Sequence, residues 1–267
     1  MTTAIADEAL RTRVEQRFGA WNCVWEQTLK QHPAYLRSAA DFADATSGAA
    51  LDPRTRAFVR LALNANATHL HADALTSAIG AARAAGASVE EIFEVLLVSC
   101  TIGVHGMNAD ILAEVLTERG DRDGTPELSA PQHAIREEYK RTRGYWRDFL
   151  DPTLELAPEF LAAYLEFSGA PWREGVLPPK VREFIYLAFD TSPTHMHMAG
   201  LRVHINNALN HGATVDEIVA VMGMSAGLGM QTLELAVPLL ADQAARPTEA
   251  EEKADSEGPR VDPEPRP

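Results

Sequence analysis

The chain is written twice. Residues 51–112 align with residues 177–238 at a constant offset of 126 and without a gap. About twenty aligned positions are identical, among them Leu51/Leu177, Pro53/Pro179, Arg56/Arg182, Phe58/Phe184, Gly86/Gly212, Glu91/Glu217 and Gly103/Gly229. The longest shared string is Thr68-His69-Leu70-His71 against Thr194-His195-Met196-His197. The likeness extends upstream at an offset of 125, where Gly19, Trp21 and Pro33 match Gly144, Trp146 and Pro158. A period this long is too large for a solenoid and is a normal size for one folding unit. It predicts two copies of one structural unit packed together as a fused pseudo-dimer.

The pattern inside each copy is helical. Val14, Phe18, Trp21, Val24, Trp25 and Leu29 recur at three- and four-residue spacings, and Pro33 ends that run. Asp52-Pro53 is a helix start, with a carboxylate cap and a proline in the first turn. Ser88…Glu91 and Thr214…Glu217 are twin capping boxes ahead of strongly apolar helices. A helix from about Thr68 is expected to stop at Gly86, and its twin at Gly212. No period-two alternation appears, so the predicted fold class is all-α. The predicted organisation is a first repeat at 1–119 with a degenerate site, a linker at 120–128, a second repeat at 129–245, and a disordered Pro/Glu-rich acidic tail at 246–267.

Composition narrows the function classes. The net charge of −14, with no basic stripe, argues against a nucleic-acid partner. No run of about eighteen apolar residues is apparent, so no membrane span is predicted. The first ten residues lack the apolar core of a secretory signal. Cys23 and Cys100 form no CxxC pair and read as buried reduced thiols, in keeping with a cytoplasmic protein.

The two copies differ where chemistry is possible. Glu183, His195, His197 and His204 in the second copy correspond to Ala57, His69, His71 and Ala78 in the first. The glutamate and the distal histidine have become alanine, so the second copy is the expected site. His197 and His204 are two helical turns apart and are expected on one helix face. Histidine exchanges a proton near neutral pH, and a neighbouring carboxylate fixes its tautomer or acts as a base. Glu183, His195, His197 and His204 are the predicted catalytic set, acting without a cofactor on a small organic acid or enolisable carbonyl compound. A Zn or Fe site through His195, His197 and His204 is the metal-dependent alternative. Its obstacle is that residues i and i+2 of a helix diverge, unless Thr194 to His197 precedes the helix. The third reading is a non-catalytic assembly protein with structural histidines. His211 reads as a helix end, and His32, His105 and His133 show no partner in sequence. Met196, Met198, Met222, Met224 and Met230 crowd the second copy, where an adaptable apolar pocket wall is one reading and core packing the other. The glycines Gly223, Gly227 and Gly229 suggest a close backbone approach to a ligand.

The string Leu177 to Phe189 (LPPKVREFIYLAF), a histidine-bearing helix, and Ala208 to Val221 (ALNHGATVDEIVAV) resemble the carboxymuconolactone decarboxylase and alkylhydroperoxidase D-like family. Arg182-Glu183, His204 and Gly212-Ala213-Thr214…Glu217-Ile218 carry the resemblance. It implies an all-α fold of tandem alkylhydroperoxidase D-like repeats, a homo-oligomer, a small-molecule substrate and a buried His/Glu pocket supporting lyase, decarboxylase or isomerase chemistry. The peroxidase branch places cysteines where His197 and Gly200 stand, so thiol peroxidase activity is not expected. The decarboxylase branch often places a glutamate at the position of Gly200, which speaks against activity on carboxymuconolactone itself.

Overall fold

The computed structural model describes residues 2–18, 20–124 and 127–244, and among them there is no strand. The predicted tail at 246–267 lies outside the described residues. The first repeat supplies α1 (Thr2–Phe18), α2 (Cys23–Gln31), α3 (Pro33–Ala45), α4 (Pro53–Ala65), α5 (Ala72–Ala84), α6 (Val89–Cys100) and α7 (Ala109–Glu118). The second supplies α8 (Ala130–Arg143), α9 (Asp151–Leu156), α10 (Pro158–Glu174), α11 (Pro179–Thr191), α12 (Met198–Asn210), α13 (Val215–Ala226) and α14 (Gln231–Ala244). Short 3-10 segments at Thr101–Gly106 and Gly227–Met230 follow α6 and α13.

The local start signals act as expected. Asp52 accepts the backbone N–H groups of Arg54 and Thr55, both at 3.0 Å. Both capping boxes close: Glu91 N–H to Ser88 and Ser88 N–H to Glu91, with the same exchange between Thr214 and Glu217. The upstream run splits in two, because Asn22 accepts the Val24 N–H and starts α2 afresh.

The duplication is visible in the backbone. Leu70 and Met196, equivalent positions, both adopt a left-handed conformation, with φ of 38° and 50°. Non-glycine residues rarely do so. The tight turn ends α4 and α11 and delays the next helix to Ala72 and Met198, several residues later than the periodicity suggests. In each copy the histidine before the helix is its cap. His71 Nδ1 accepts the Ala74 N–H, and His197 Nδ1 accepts the Gly200 N–H. His197 is therefore not on the α12 helix face, and His195 is not the cap. The equivalent hydroxyls of Thr68 and Thr194 meet at 2.9 Å, and α4 packs against α11, as a pseudo-dimer requires.

The described residues form two compact units, one of those up to Ser47 together with 227–244, the other of those within Gly48–Ala226. In the first, Leu10, Val14, Val24, Trp25, Leu36 and Ala40 form the core, with Leu233 and Val237 of α14 packed on it. In the second, Tyr139, Leu150, Leu154, Leu161 and Leu165 form a matching cluster at the equivalent positions of α8 to α10, where α7 packs on α9. The main core of this second unit joins both repeats: Phe58, Leu61 and Ala62 of α4, Val95 and Val98 of α6, and Val181, Ile185 and Phe189 of α11. α11 is central, and Phe184, Ile185, Leu187 and Ala188 are fully buried. A charged residue on such a helix carries a large desolvation cost and needs a reason to be there.

One sequence expectation is corrected. Cys23 and Cys100 are exposed: Cys23 lies off the buried Val24–Trp25–Thr28 face, and Cys100 is the last residue of α6. The stretches Val89–Glu118 and Val215–Ala244 are long and apolar enough to cross a membrane by length and composition. Each, however, is two helices separated by a 3-10 segment, and each buries residues such as Val95, Val98 and Val221 in protein.

Candidate active site

Glu183, Tyr186 and Asp190 lie at i, i+3 and i+7 along α11 and so share one face. α12 packs along α11 and presents His204 and Asn207 to it. Together with α8, α10 and the Thr101–Gly106 segment they enclose a cavity of about 800 Å³. That is ample for a small organic ligand. Its aromatic wall is Tyr139, Tyr145, Tyr164 and Trp172, and Arg143 and Arg147 bring positive charge. Burial raises the phenol pKa of all three tyrosines. They are neutral walls at any physiological pH.

The best-defined pair is His204 with Glu183. His204 Nδ1 lies 2.7 Å from Glu183 Oε2, and Asn207 Nδ2 donates to Oε1 at 3.2 Å. Glu183 is 2% exposed, so its charge rests on these two partners. A carboxylate has no proton to give, so Nδ1 carries the hydrogen and Nε2 keeps the lone pair. Tyr186 stacks on the imidazole at 4.6 Å between centroids, nearly parallel, and fixes the ring plane. The Tyr186 hydroxyl is itself held by Trp172 Nε1 at 3.3 Å.

A second cluster lies beside it. Asp190 is 1% exposed, and neither carboxylate oxygen has a hydrogen-bond partner. Burial pushes its pKa up to about 7, with Glu183 adding to the rise and His204 opposing it. Its nearest nitrogens are His197 Nδ1 at 3.8 Å and His105 Nδ1 at 3.9 Å. His105 Nδ1 also faces His195 Nε2 at 2.6 Å. The His105 ring stacks on His197 at 3.7 Å. Burial, with His197 and His195 nearby, lowers the His105 pKa to about 3, and burial also lowers those of His195 and His197. His105 is therefore neutral near pH 7.

All four predicted site residues come into this region. Glu183 and His204 pair directly, His197 is a helix cap that lines the cavity, and His195 joins through His105. The metal alternative changes its membership. Thr194 to His197 does precede α12, which removes the geometric obstacle. The ligand atoms that converge, however, belong to His105, Asp190 and His195. His197 and His204 spend their Nδ1 atoms on Gly200 and Glu183. Asp190 and His105 were missed in sequence. Asp190 had a signal, a charged residue two turns beyond Glu183 in an apolar run. His105 had none, because it comes from the first repeat and its equivalent is Gln231. His69 and His71 do not line the cavity, whereas His211 does. The methionine wall is not realised: Met196 and Met198 are exposed, Met224 and Met230 are buried, and only Met107 lines the cavity. Gly223, Gly227 and Gly229 are likewise not in its lining.

Gly200 has a packing reason. A Cβ there would collide with His197 Nδ1 and Asp190 Oδ2. The carboxylate of Asp190, delivered from α11, thus occupies the place where a side chain at position 200 would begin. Gly200→Ala is expected to displace the His197 cap and cost about 1–3 kcal/mol. Chemical denaturation checks this, and an unchanged midpoint would show that the crowding is relieved freely.

The fold and the site together define a helical protein built by duplication, with one buried acid–base cluster fed by both copies. Residues 158–242 match the carboxymuconolactone decarboxylase family model. A protein from Burkholderia xenovorans LB400, solved by crystallography at 1.70 Å and provisionally named a gamma-carboxymuconolactone decarboxylase subunit, is 38% identical. The match covers 89% of this chain and 96% of that one, with a TM-score of 0.82. No curated protein sequence matches the chain. The chain belongs to the carboxymuconolactone decarboxylase family.

Proposed function

We propose that the chain is a decarboxylase-type lyase acting on a small carboxylated, enolisable compound, with His204 as the proton-transfer group and Glu183 as its orienting base. The observation that carries this reading is the 2.7 Å contact between His204 Nδ1 and a glutamate buried at 2% exposure. Family membership and the provisional name of the Burkholderia protein support the reaction type. A carboxyl β to a carbonyl loses carbon dioxide when the C–C bonding pair moves into the carbonyl, leaving an enolate. His204 takes a proton from water at Nε2 and, as the imidazolium, delivers it to the carbon that lost carbon dioxide; the hydroxide left behind is taken up by carbon dioxide as bicarbonate. Glu183 stabilises the imidazolium formed in the cycle. Arg147, which stacks over Tyr145 at 5.0 Å, is placed to hold a second carboxylate or a lactone oxygen. It would not serve well on the departing carboxylate, because a cation gripping that group opposes its loss of charge. The tyrosine wall excludes water from the enolate.

Turnover of β-keto acids tests the reading by carbon dioxide release in D2O. The product is expected to carry one deuterium at the carbon that lost the carboxyl group. Carbon dioxide release without that deuterium would remove His204 from the proton step. The family also favours self-association. Ile111, Leu112 and Val115 of α7 are exposed and apolar, which is in keeping with a homo-oligomer.

A further inference from the structure

We propose that His105, Asp190 and His195 form a binding site for one divalent transition-metal ion per chain. One ligand atom from each residue lies within 4.8 Å of the others. Asp190 gives the independent reason to expect an occupant. Its side chain is 1% exposed and both oxygens lack a hydrogen-bond partner. A buried carboxylate left unpaired is costly, and native proteins rarely keep one without a partner.

The two imidazoles are posed for the same ion. His105 Nδ1 and His195 Nε2 face each other at 2.6 Å. Either they share one proton, or both lone pairs point to a cation and both protons sit on the outer nitrogens. Ligand nitrogens on one tetrahedral ion stand about 3.3 Å apart, and carboxylate oxygens bind at about 2.0–2.2 Å. The 2.6 Å and 3.9 Å separations straddle that geometry, so modest side-chain rotations close the site. His197 does not compete: its Nδ1 caps α12, and its ring stacks on His105 at 3.7 Å and fixes that ring's plane. A two-histidine, one-carboxylate set suits zinc or ferrous iron and not calcium or magnesium. It also leaves coordination positions open, and His105 and Asp190 both line the cavity. At the equivalents of Asp190 and His105 stand Asn64, in the first repeat, and Gln231, in the second, so the expected stoichiometry is one ion, not two. Insofar as the proposed decarboxylation holds, the ion would polarise the oxygen that receives the electron pair. The site itself does not depend on that reaction.

The test uses full-length, tag-free protein stripped with a chelator and dialysed. Zinc is titrated by calorimetry, and cobalt(II) is added separately to read its visible d–d bands. We expect one zinc per chain and a cobalt spectrum of low-coordinate type. Asp190→Asn keeps the shape and removes the charge, and His195→Asn alters a half-buried residue that is safe for folding. Both are expected to weaken zinc by more than about 100-fold, since even outer partners of a metal change affinity by roughly 10–100-fold. His71→Ala, the equivalent of the helix cap in the first repeat, is expected to leave zinc binding intact. Absence of stoichiometric zinc binding, or zinc affinity in both variants as high as in the unmodified protein, would overturn the site. Because metal binding is read without turnover, this result stands apart from any failure of the decarboxylase assay.

Discussion

Glu94→Ala is expected to lower the unfolding free energy by about 3–5 kcal/mol, the range for breaking a buried ion pair from one side. Glu94, on α6 of the first repeat, is 3% exposed. One carboxylate oxygen accepts Arg182 Nε at 2.5 Å, and the other accepts the backbone N–H groups of Val176 and Leu177 at 2.5 and 2.8 Å. Removing it strands a guanidinium that is 5% exposed and two backbone donors at the entrance to α11. Glu94→Gln keeps an acceptor and the volume, so its loss should be smaller. Urea denaturation of both variants measures the difference. A loss under about 1 kcal/mol for the alanine variant would mean that water reaches Arg182 and that the pin is not structural. The consequence for the site follows from position: Glu94 fixes the start of the helix that carries Glu183 and Asp190. Only one such pin exists by sequence, because Ala220 stands at the equivalent place in the second repeat.

His204→Gln is expected to reduce turnover by about 10²–10⁴-fold, the usual contribution of a positioned general acid–base group. Glutamine keeps a donor for Glu183, so the buried carboxylate stays partnered and the fold should persist. Alanine would confound the result by stranding Glu183 at the same time. Glu183→Gln removes the charge that stabilises the imidazolium and should cost a similar factor in kcat with little change in KM. Steady-state kinetics, together with thermal denaturation, separate the two effects. Near-native kcat in a folded His204→Gln protein would remove His204 from the proton step.

Much of the local structure was legible in the residues. The capping boxes at Ser88 and Thr214, the Asp52 cap and the prolines opening α4 and α11 are decided by hydrogen bonds spanning two to four residues, so a short string specifies them. The fixed offset likewise carried the pseudo-dimer. The Glu183–His204 pair was accessible because two adjacent helices joined by a short turn must meet face to face. The break after α11 was less accessible. A left-handed Met196 has no glycine to announce it, and it moves His197 off the helix and into a cap.

What the sequence determined by itself is the all-α class, the duplication and the asymmetry that places Glu183 and His204 in one copy only. What the tertiary structure alone decided is the composition of the site around that pair. His105 reaches it from the other repeat, across 90 residues, and Glu94 reaches Arg182 across 88. Neither contact follows from spacing or periodicity. Both depend on how α6 and the 3-10 segment after it lie against α11, and that placement is set by the shared apolar core of both repeats. The unpaired carboxylate of Asp190 is the clearest case. In sequence it is one acidic residue among many, and only burial without a partner makes it a candidate ligand.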